Sequence, residues 1–426
     1  MSRKSVQRQV QGFEAHSFWT IFTVSAVIRV VKILLSPPHN EFDINELEKV
    51  ARSVALHGSF ADTYLHPTGP SAHIAPGGAL ILGLIYWIFG IGWQGEMAKR
   101  CAAALVSSLQ YALLPRAAVA MGLTSMTGAA IGLLSALAPY KGFMETDATS
   151  WEQPYVAGAL ILLFLHTLRY WSTDKIPVRS AMLRGLWWGL AVLLSPMLIL
   201  VFGAIVAYEF LALRRRERLA WALLIFVGVQ IPWAVRNWIE LHGLVWSRSN
   251  FGLEFLVSNR PESFALMEDN VSHGILTRFH PSQSEFEWER LNRLGEVAYN
   301  RAELETALVF VKKDRARFAR MTFERIWRFW LEPSRRRKGT LTTTAVTLLG
   351  AIGLWAMPRG PGRRLILLIL LSYPLIYYFI QTDRRYRYPI EWMFLPPAAY
   401  AISRLRRGSQ AMDQSSSLPR NIMSSG

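Results

Sequence analysis

The chain has 426 residues, 51% of them hydrophobic, and a formal charge of +17. So basic a balance would suit nucleic acid, but the arginine clusters at 214–218, 359–364 and 404–407 each end an apolar run, and no hydrophilic stretch interleaves basic and aromatic residues on an exposed face. A nucleic-acid partner is therefore excluded, and Cys101, the single cysteine, sits inside an apolar run, which removes disulfides within the chain and argues against thiol chemistry.

From the N-terminus, Arg3, Lys4 and Arg8 lie in a polar tail, 1–17, ahead of the apolar run 18–35. Ser36, Pro37 and Pro38 stand where a signal peptide would carry a small-x-small cleavage site, so the run predicts an uncleaved first helix that starts in the cytoplasm. Arg29 and Lys32, near its outer end, either mark a functional face or snorkel to the interface. An outer loop, 36–95, follows and is rich in Pro, His and acids. Its apolar part, 76–93, contains Pro76, Gly77, Gly78, Gly83, Gly90 and Gly92 and makes a poor isolated span. Laid along the membrane interface instead, it leaves every arginine cluster inside and both acidic segments in one compartment.

Further apolar runs at 97–115, 123–140, 154–171, 181–194, 197–213, 219–236, 341–357, 365–380 and 389–405 bring the total to about ten crossings, with both termini cytoplasmic. The short pair around Ser195 and Pro196 reads as broken or half-inserted helices. Residues 241–338 change to amphipathic periodicity, notably at 285–302 and 302–330, and predict a water-facing helical insert outside the cytoplasm. The expected architecture is thus an all-α polytopic membrane protein: a transmembrane core over 18–240, the insert over 241–338, C-terminal transmembrane helices over 339–405 and a disordered cytoplasmic tail over 406–426.

Three groups of side chains carry candidate chemistry. In the first outer loop, Asp43 and Glu46 open a predicted helix on one face, where a carboxylate serves either as a base or as a partner for the helix dipole. A second acidic segment, FMETDATSWEQPY, brings Glu145, Asp147 and Glu152 to the same side, as site groups or as solvated loop residues. The string QTDRRYRYPIEW places Arg384, Arg385 and Arg387 on the outer side against the usual bias, which points to an anionic partner: a phosphate, for which the guanidinium fork is suited, or nearby carboxylates and headgroups. Arg236 and Asn237 in IPWAVRNW add a polar pair beside aromatics. His57, His66 and His73 lack a ligand spacing, so no metal site is expected, and no phosphate-binding glycine loop or nucleophile elbow occurs.

With these residues in view, the chain resembles the GT-C superfamily of polytopic glycosyltransferases, particularly bacterial protein mannosyltransferase-like and aminoarabinose transferase-like members. The resemblance runs over nearly the whole chain, through FDINELEKVARSV, GPSAHIAPGGALILGLIYWIFG, WEQPY, PWAVRNW, SNFGLEFLVSN, LGEVAYNRA and RYRYP in that order. It implies an interfacial helix at 76–93, a polyprenyl-phosphate-sugar donor in place of any cofactor, and transfer on the outer face of the inner membrane. By position it implies Asp43 as base, Glu152 as the second acid, His73 as the polar residue before the interfacial helix, and Arg385 and Arg387 as the basic motif. The second acidic segment departs from the compact Asp-x-Asp pair of metal-dependent members, and VSN replaces a glycine-containing string.

The expected reaction is attack of an acceptor hydroxyl, deprotonated by Asp43, on the anomeric carbon of the lipid-linked sugar, with inversion; Glu152 is the other catalytic candidate. Glu46, His73, Asp147, Arg236, Asn237, Arg385 and Arg387 are expected to bind substrate, and the partners are membrane lipid, the lipid-linked donor and a glycolipid, polysaccharide or protein acceptor. The alternative is a transporter or flippase for a lipid-linked or anionic solute, which would also gather charge around a membrane cavity; no internal repeat supports it.

Overall fold

The computed structural model of the chain describes residues 3–35, 45–137, 151–173, 175–214, 216–331 and 337–416. Among them the only β pairing is two isolated bridges, Ala61 with Pro70 and Leu266 with Thr382. The membrane-type body is built from α1 (Arg3–Leu35), two helices of the first loop, α2 (Glu46–His57) and α3 (Pro76–Phe89), and then α4 (Trp93–Ala112), α5 (Leu114–Ala120), α6 (Ser125–Leu137), α7 (Gln153–Trp171), α8 (Val178–Leu194), α9 (Leu198–Leu211) and α10 (Arg216–Leu241). The insert holds α11 (Phe251–Asn259), α12 (Met267–Ser272), α13 (Ile275–Phe279), α14 (Glu285–Leu294), α15 (Glu296–Lys313) and α16 (Arg315–Trp330). The chain then returns through α17 (Arg337–Ala356), α18 (Pro361–Ser372), α19 (Arg384–Glu391) and α20 (Leu395–Ser416), with short 3-10 turns at Leu375–Tyr378 and Trp392–Phe394.

Three helical stretches among the described residues, Phe13–Leu35, Trp93–Ala120 and Arg218–Leu241, are long and apolar enough to cross a membrane; Ser125–Leu137, Leu198–Leu211 and Leu341–Ala356 are apolar but shorter. These helices share one core, from Ile21 of α1 through Leu160 and Phe164 of α7 to Ile366 and Ile369 of α18. Outward they present large apolar side chains, Trp355 being 81% exposed, a surface fitted to lipid rather than water. Two basic groups inside have partners: Arg29 of α1 bonds Ser25 Oγ and stacks over Tyr111 of α4, and Arg184 of α8 pairs with Glu209 of α9, which also accepts from the Trp171 indole.

The first loop sets the position of the site. Asn45 caps α2 by accepting from the Glu48 N–H at 3.1 Å. The apolar face of α2, Leu47, Val50 and Ala51, packs on Ala79, Leu82 and Tyr86 of α3. The 14 residues of α3 span only about 21 Å, short of a ~30 Å hydrocarbon core. Its first turn needs glycine for space: a Cβ on Gly77 would come within 2.7 Å of the Leu194 backbone at the end of α8, and one on Gly78 within 3.2 Å of Glu152 Cβ. Tyr64, between α2 and α3, completes the insert's own core with Leu253, Val257, Ile275 and Tyr299. Backbone bonds stitch the same parts together, Leu65 N–H to Pro281 O, Ser249 N–H to Ala72 O and Thr382 N–H to Ala265 O.

Candidate active site

A polar cavity of about 440 Å3 lies where the first loop, the insert and the segment before α19 meet. Glu46 from the first turn of α2, Trp151 ahead of α7, Glu254 of α11, His280 after α13 and Arg385 of α19 all line it. Glu46 Oε2 is 3.2 Å from His73 Nε2, and Oε1 is 3.6 Å from His280 Nδ1. Burial opposes ionisation of Glu46, but the two imidazoles override it and hold the carboxyl well below its ordinary range. Burial likewise pushes His280 down, against the pull of Glu46 and Glu254. Lys49, one turn along α2 from Glu46, is lowered by burial despite the Glu46 charge and donates to Tyr64 O at 2.7 Å.

Arg385 lies flat on Trp151, its guanidinium carbon 3.9 Å from the ring centroid. Asp383 caps α19 by accepting from the Arg385 backbone N–H at 2.8 Å. Burial opposes the Arg385 charge, yet Tyr386, Asp383 and Glu152 outweigh it and the pKa rises above the ordinary value. Its side-chain hydrogen bonds are weak, Nη2 to Met267 Sδ at 3.6 Å and to Tyr386 Oη at 3.4 Å, and its buried Nε has no hydrogen-bond partner among the described residues. Here is a half-buried cation, its Nε 3.9 Å from Asp383 Oδ1, whose donors are poorly satisfied, an arrangement suited to an anion.

A second, apolar cavity of about 930 Å3 borders α3 on its Gly77 side. Leu80 of α3, Leu162 of α7, Trp187 and Leu190 of α8 and Trp233 of α10 line it, with Arg236 and His166 as its basic groups. The first loop thus borders both spaces, α3 through Pro76, Gly77 and Leu80 on the apolar side and α2 through Glu46 and Lys49 on the polar side.

Of the residues singled out in sequence, Glu46 and Arg385 line the polar cavity, His73 touches it through Glu46, and Glu152 acts on Arg385 from beside Gly78. Arg236 is directed elsewhere: it donates to Ser71 O at 2.9 Å, Phe60 O at 2.6 Å and Asn237 Oδ1 at 3.0 Å, while Asn237 donates to Val245 O. Both brace loops at the apolar groove. Arg387 is buried in a brace of its own, donating to Phe329 O, Trp330 O and Thr347 Oγ1 and pairing with Glu391. Asp43 and Asp147 lie outside the described residues. Sequence reasoning passed over Glu254, His280 and Trp151; a carboxylate inside the apolar string FGLEFLVSN was the available signal for Glu254, and no spacing links His280 to the first loop.

No protein-family model and no curated protein sequence matches the chain. Among solved structures, the oligosaccharyltransferase of Archaeoglobus fulgidus tethered to an acceptor peptide is similar at a TM-score of 0.56 and 13% identity, over 93% of this chain and 50% of that one. The A. fulgidus enzyme AglB in complex with an inhibitory peptide and a dolichol-phosphate gives 0.53 and 13%, over 96% and 53%. ArnT from Cupriavidus metallidurans bound to undecaprenyl phosphate gives 0.41 and 15%, over 95% and 81%. The chain spans about half the length of the archaeal enzymes. Both named proteins are GT-C glycosyltransferases, and the chain takes the fold of the archaeal oligosaccharyltransferases.

Proposed function

We propose that the chain is a membrane glycosyltransferase, moving a sugar from a polyprenyl-phosphate carrier to an acceptor hydroxyl on the outer face of the inner membrane, with inversion at the anomeric carbon. The observation that carries this reading is that the first loop borders two cavities, an apolar one at Gly77 of α3 and a charged one at Glu46 of α2. A lipid-linked sugar phosphate has the same three parts: an apolar chain, an anion and a polar group. The start of α3 has no side-chain cap, so its first backbone N–H groups and the helix dipole favour a phosphate there. The dolichol-phosphate complex of AglB, which shares the fold, agrees with such a donor.

In this reading the acceptor oxygen attacks the anomeric carbon while its proton passes to Asp43, and the bond from that carbon to the phosphate oxygen breaks. Negative charge grows on the departing phosphate, and Arg385 with the α3 amides holds it. Little acid help is required, since the leaving group is stable as an anion. Asn45 already caps α2, so Asp43 is not needed for that task. Glu152, electrostatically coupled to Arg385, keeps the guanidinium in place and accepts from a substrate hydroxyl. The shorter apolar helices complete about ten crossings in the same reading, with the insert outside and both termini in the cytoplasm; the acceptor is a glycolipid, polysaccharide or protein hydroxyl.

The test uses purified protein in detergent with a labelled polyprenyl-phosphate sugar. Transfer needs no sealed vesicle, whereas a transporter or flippase would show none under these conditions. Asp43→Asn should lower turnover by about 10² to 10⁴ with donor binding retained. Near-normal turnover in that variant removes Asp43 from the base role.

A further inference from the structure

The last helix of the insert, α16, is predicted by its periodicity to face water, yet one side of it does not suit water. Ala316, Arg320, Phe323 and Trp327 recur at three- and four-residue spacings and so share a face. Phe323 is 69% exposed and Trp327 49%, while Met321, Arg325 and Phe329 on the opposite side are buried. The far end of α16 is fixed to the membrane-type body. Trp330 Nε1 donates to Tyr378 Oη at 2.9 Å, Thr347 Oγ1 of α17 donates to Trp330 O at 3.2 Å, and Thr344 Oγ1 of α17 donates to Leu331 O. This joint falls within the apolar stretch Leu341–Ala356 of α17, whose Leu341, Leu348, Ile352 and Trp355 are exposed. Trp327 stands one turn ahead of the joint on α16, as Leu341 does on α17, so the outward apolar surface of α17 continues on to α16.

We propose that α16 docks on the outer leaflet of the membrane, with Phe323 and Trp327 among the acyl chains and Arg315 and Arg320 on the headgroups of anionic phospholipids. Charge supports this occupant. The helix holds five arginines and a single acid, Glu324, which Arg328 engages at 3.3 Å. Arg315 and Arg320 are exposed and precede the aromatic pair, so the helix presents a basic end and then an apolar one. An amphipathic helix sinks its apolar face ~5–10 Å into a membrane. Arg320 lies about 4.5 Å and Arg315 about 12 Å before Phe323 along the axis, which brings both to headgroup level when Phe323 is below it. A second copy of the chain is a poorer partner, because a two-fold contact through this face would set Arg320 and its neighbours against their own copies. Docked so, the insert is held by lipid as well as by its backbone bonds to the first loop, Leu65 N–H to Pro281 O and Ser249 N–H to Ala72 O.

The experiment takes the full, unmodified chain in lipid nanodiscs that hold a single copy each, so that no second copy can cover the face, and labels it with hydroxyl radicals read residue by residue in a mass spectrometer. Phe286 of α14 is the internal standard: it is 69% exposed, as Phe323 is, and lies beside the exposed Glu285 on the same insert. Phe286 should be oxidised while Phe323 and Trp327 lose their labelling. Oxidation of Phe323 as fast as that of Phe286 overturns the proposal. A nitroxide on Phe323→Cys, in a Cys101→Ala background, should collide with oxygen in preference to a water-soluble nickel chelate, and the preference should grow in discs containing phosphatidylglycerol over discs of zwitterionic lipid. Arg315→Gln together with Arg320→Gln should abolish that growth, and a preference indifferent to headgroup charge overturns the headgroup contact. The proposal is independent of the transferase reading, because labelling needs no turnover: an inactive chain with Phe323 protected keeps the docking, and an active chain with Phe323 oxidised loses it.

Discussion

Arg385, half-buried, and Arg387, fully buried, stand two residues apart and do opposite work. Arg387 has its guanidinium on Phe329 O, Trp330 O, Thr347 Oγ1 and Glu391, tying the end of α16 to α17 and α19. Nearby Arg325 does the same for the insert, donating to Asn259 Oδ1 and Phe379 O at 3.0 Å each and to Ser258 O. Arg385 instead lies on Trp151 at the edge of a cavity, and its Nη2 reaches only Met267 Sδ and Tyr386 Oη. All three arginines have a buried Nε without a hydrogen-bond partner among the described residues, so that feature does not separate a brace from a binding group. The destination of the other hydrogen bonds does, since donors that end on backbone carbonyls are already well satisfied, whereas those that end on a thioether and a phenol leave room for an anionic ligand.

The strongest way to break this contrast is Arg385→Ala. If Arg385 stabilises the departing phosphate, turnover should fall about 10²- to 10³-fold, with donor affinity reduced as well. Thermal stability should change by about 1 kcal/mol or less, because the guanidinium is held chiefly by its stacking on Trp151. A variant that melts far below the native protein would make Arg385 a brace like its neighbour, and unchanged donor affinity in a binding assay would remove the phosphate role.

Arg325→Ala should behave in the reverse sense. Ser258 O, Phe379 O and Asn259 Oδ1 would all lose a donor in a buried place, at a cost of about 2–4 kcal/mol of folding stability. Protein that remains folded at low temperature should retain donor affinity, since Arg325 touches neither cavity. Native-like stability in a denaturant or thermal series would show that the three carbonyl-type acceptors find other partners.

The sequence makes the first half of this contrast visible and hides the second. Apolar run length is a local property, so the all-helical class and the long apolar helices can be read from residues near one another. Residues two apart on a helix point in nearly opposite directions, so RYRYP announces a basic motif without saying which arginine faces the cavity. Arg236 and Asn237 illustrate the same limit, for their partners Ser71, Phe60 and Val245 lie in loops whose approach no periodicity encodes. His280 is further removed still: its meeting with Glu46 depends on the insert folding back through Tyr64 and the Leu65–Pro281 backbone bond. The first helix runs from Arg3, well before the apolar stretch at 18–35, because a helix needs only its own backbone bonds to continue through polar residues.

The smallest expected effect sharpens the comparison within the braces themselves. Arg290 pairs with Glu303 at 2.6 Å and with Glu287 at 3.2 Å, and Tyr299 donates to Glu287 at 2.9 Å. Burial raises the Glu303 pKa above its ordinary value even though Arg290 pulls it down, so this carboxylate is a partner whose ionisation the fold resists. With a raised folded-state pKa, the folded protein binds more protons than the unfolded chain in the window between the two values. The contribution of Glu303 is then fully present below the unfolded pKa of about 4.5 and is lost as pH rises through the folded one. Glu303→Gln removes that titration. Native protein should accordingly gain thermal stability relative to the variant as pH is lowered across this window, by less than the losses expected for Arg325→Ala. A difference between the two melting curves that stays constant with pH, or that grows in the variant's favour as pH falls, would mean that Arg290 outweighs burial and that Glu303 is ionised as readily in the insert as in water.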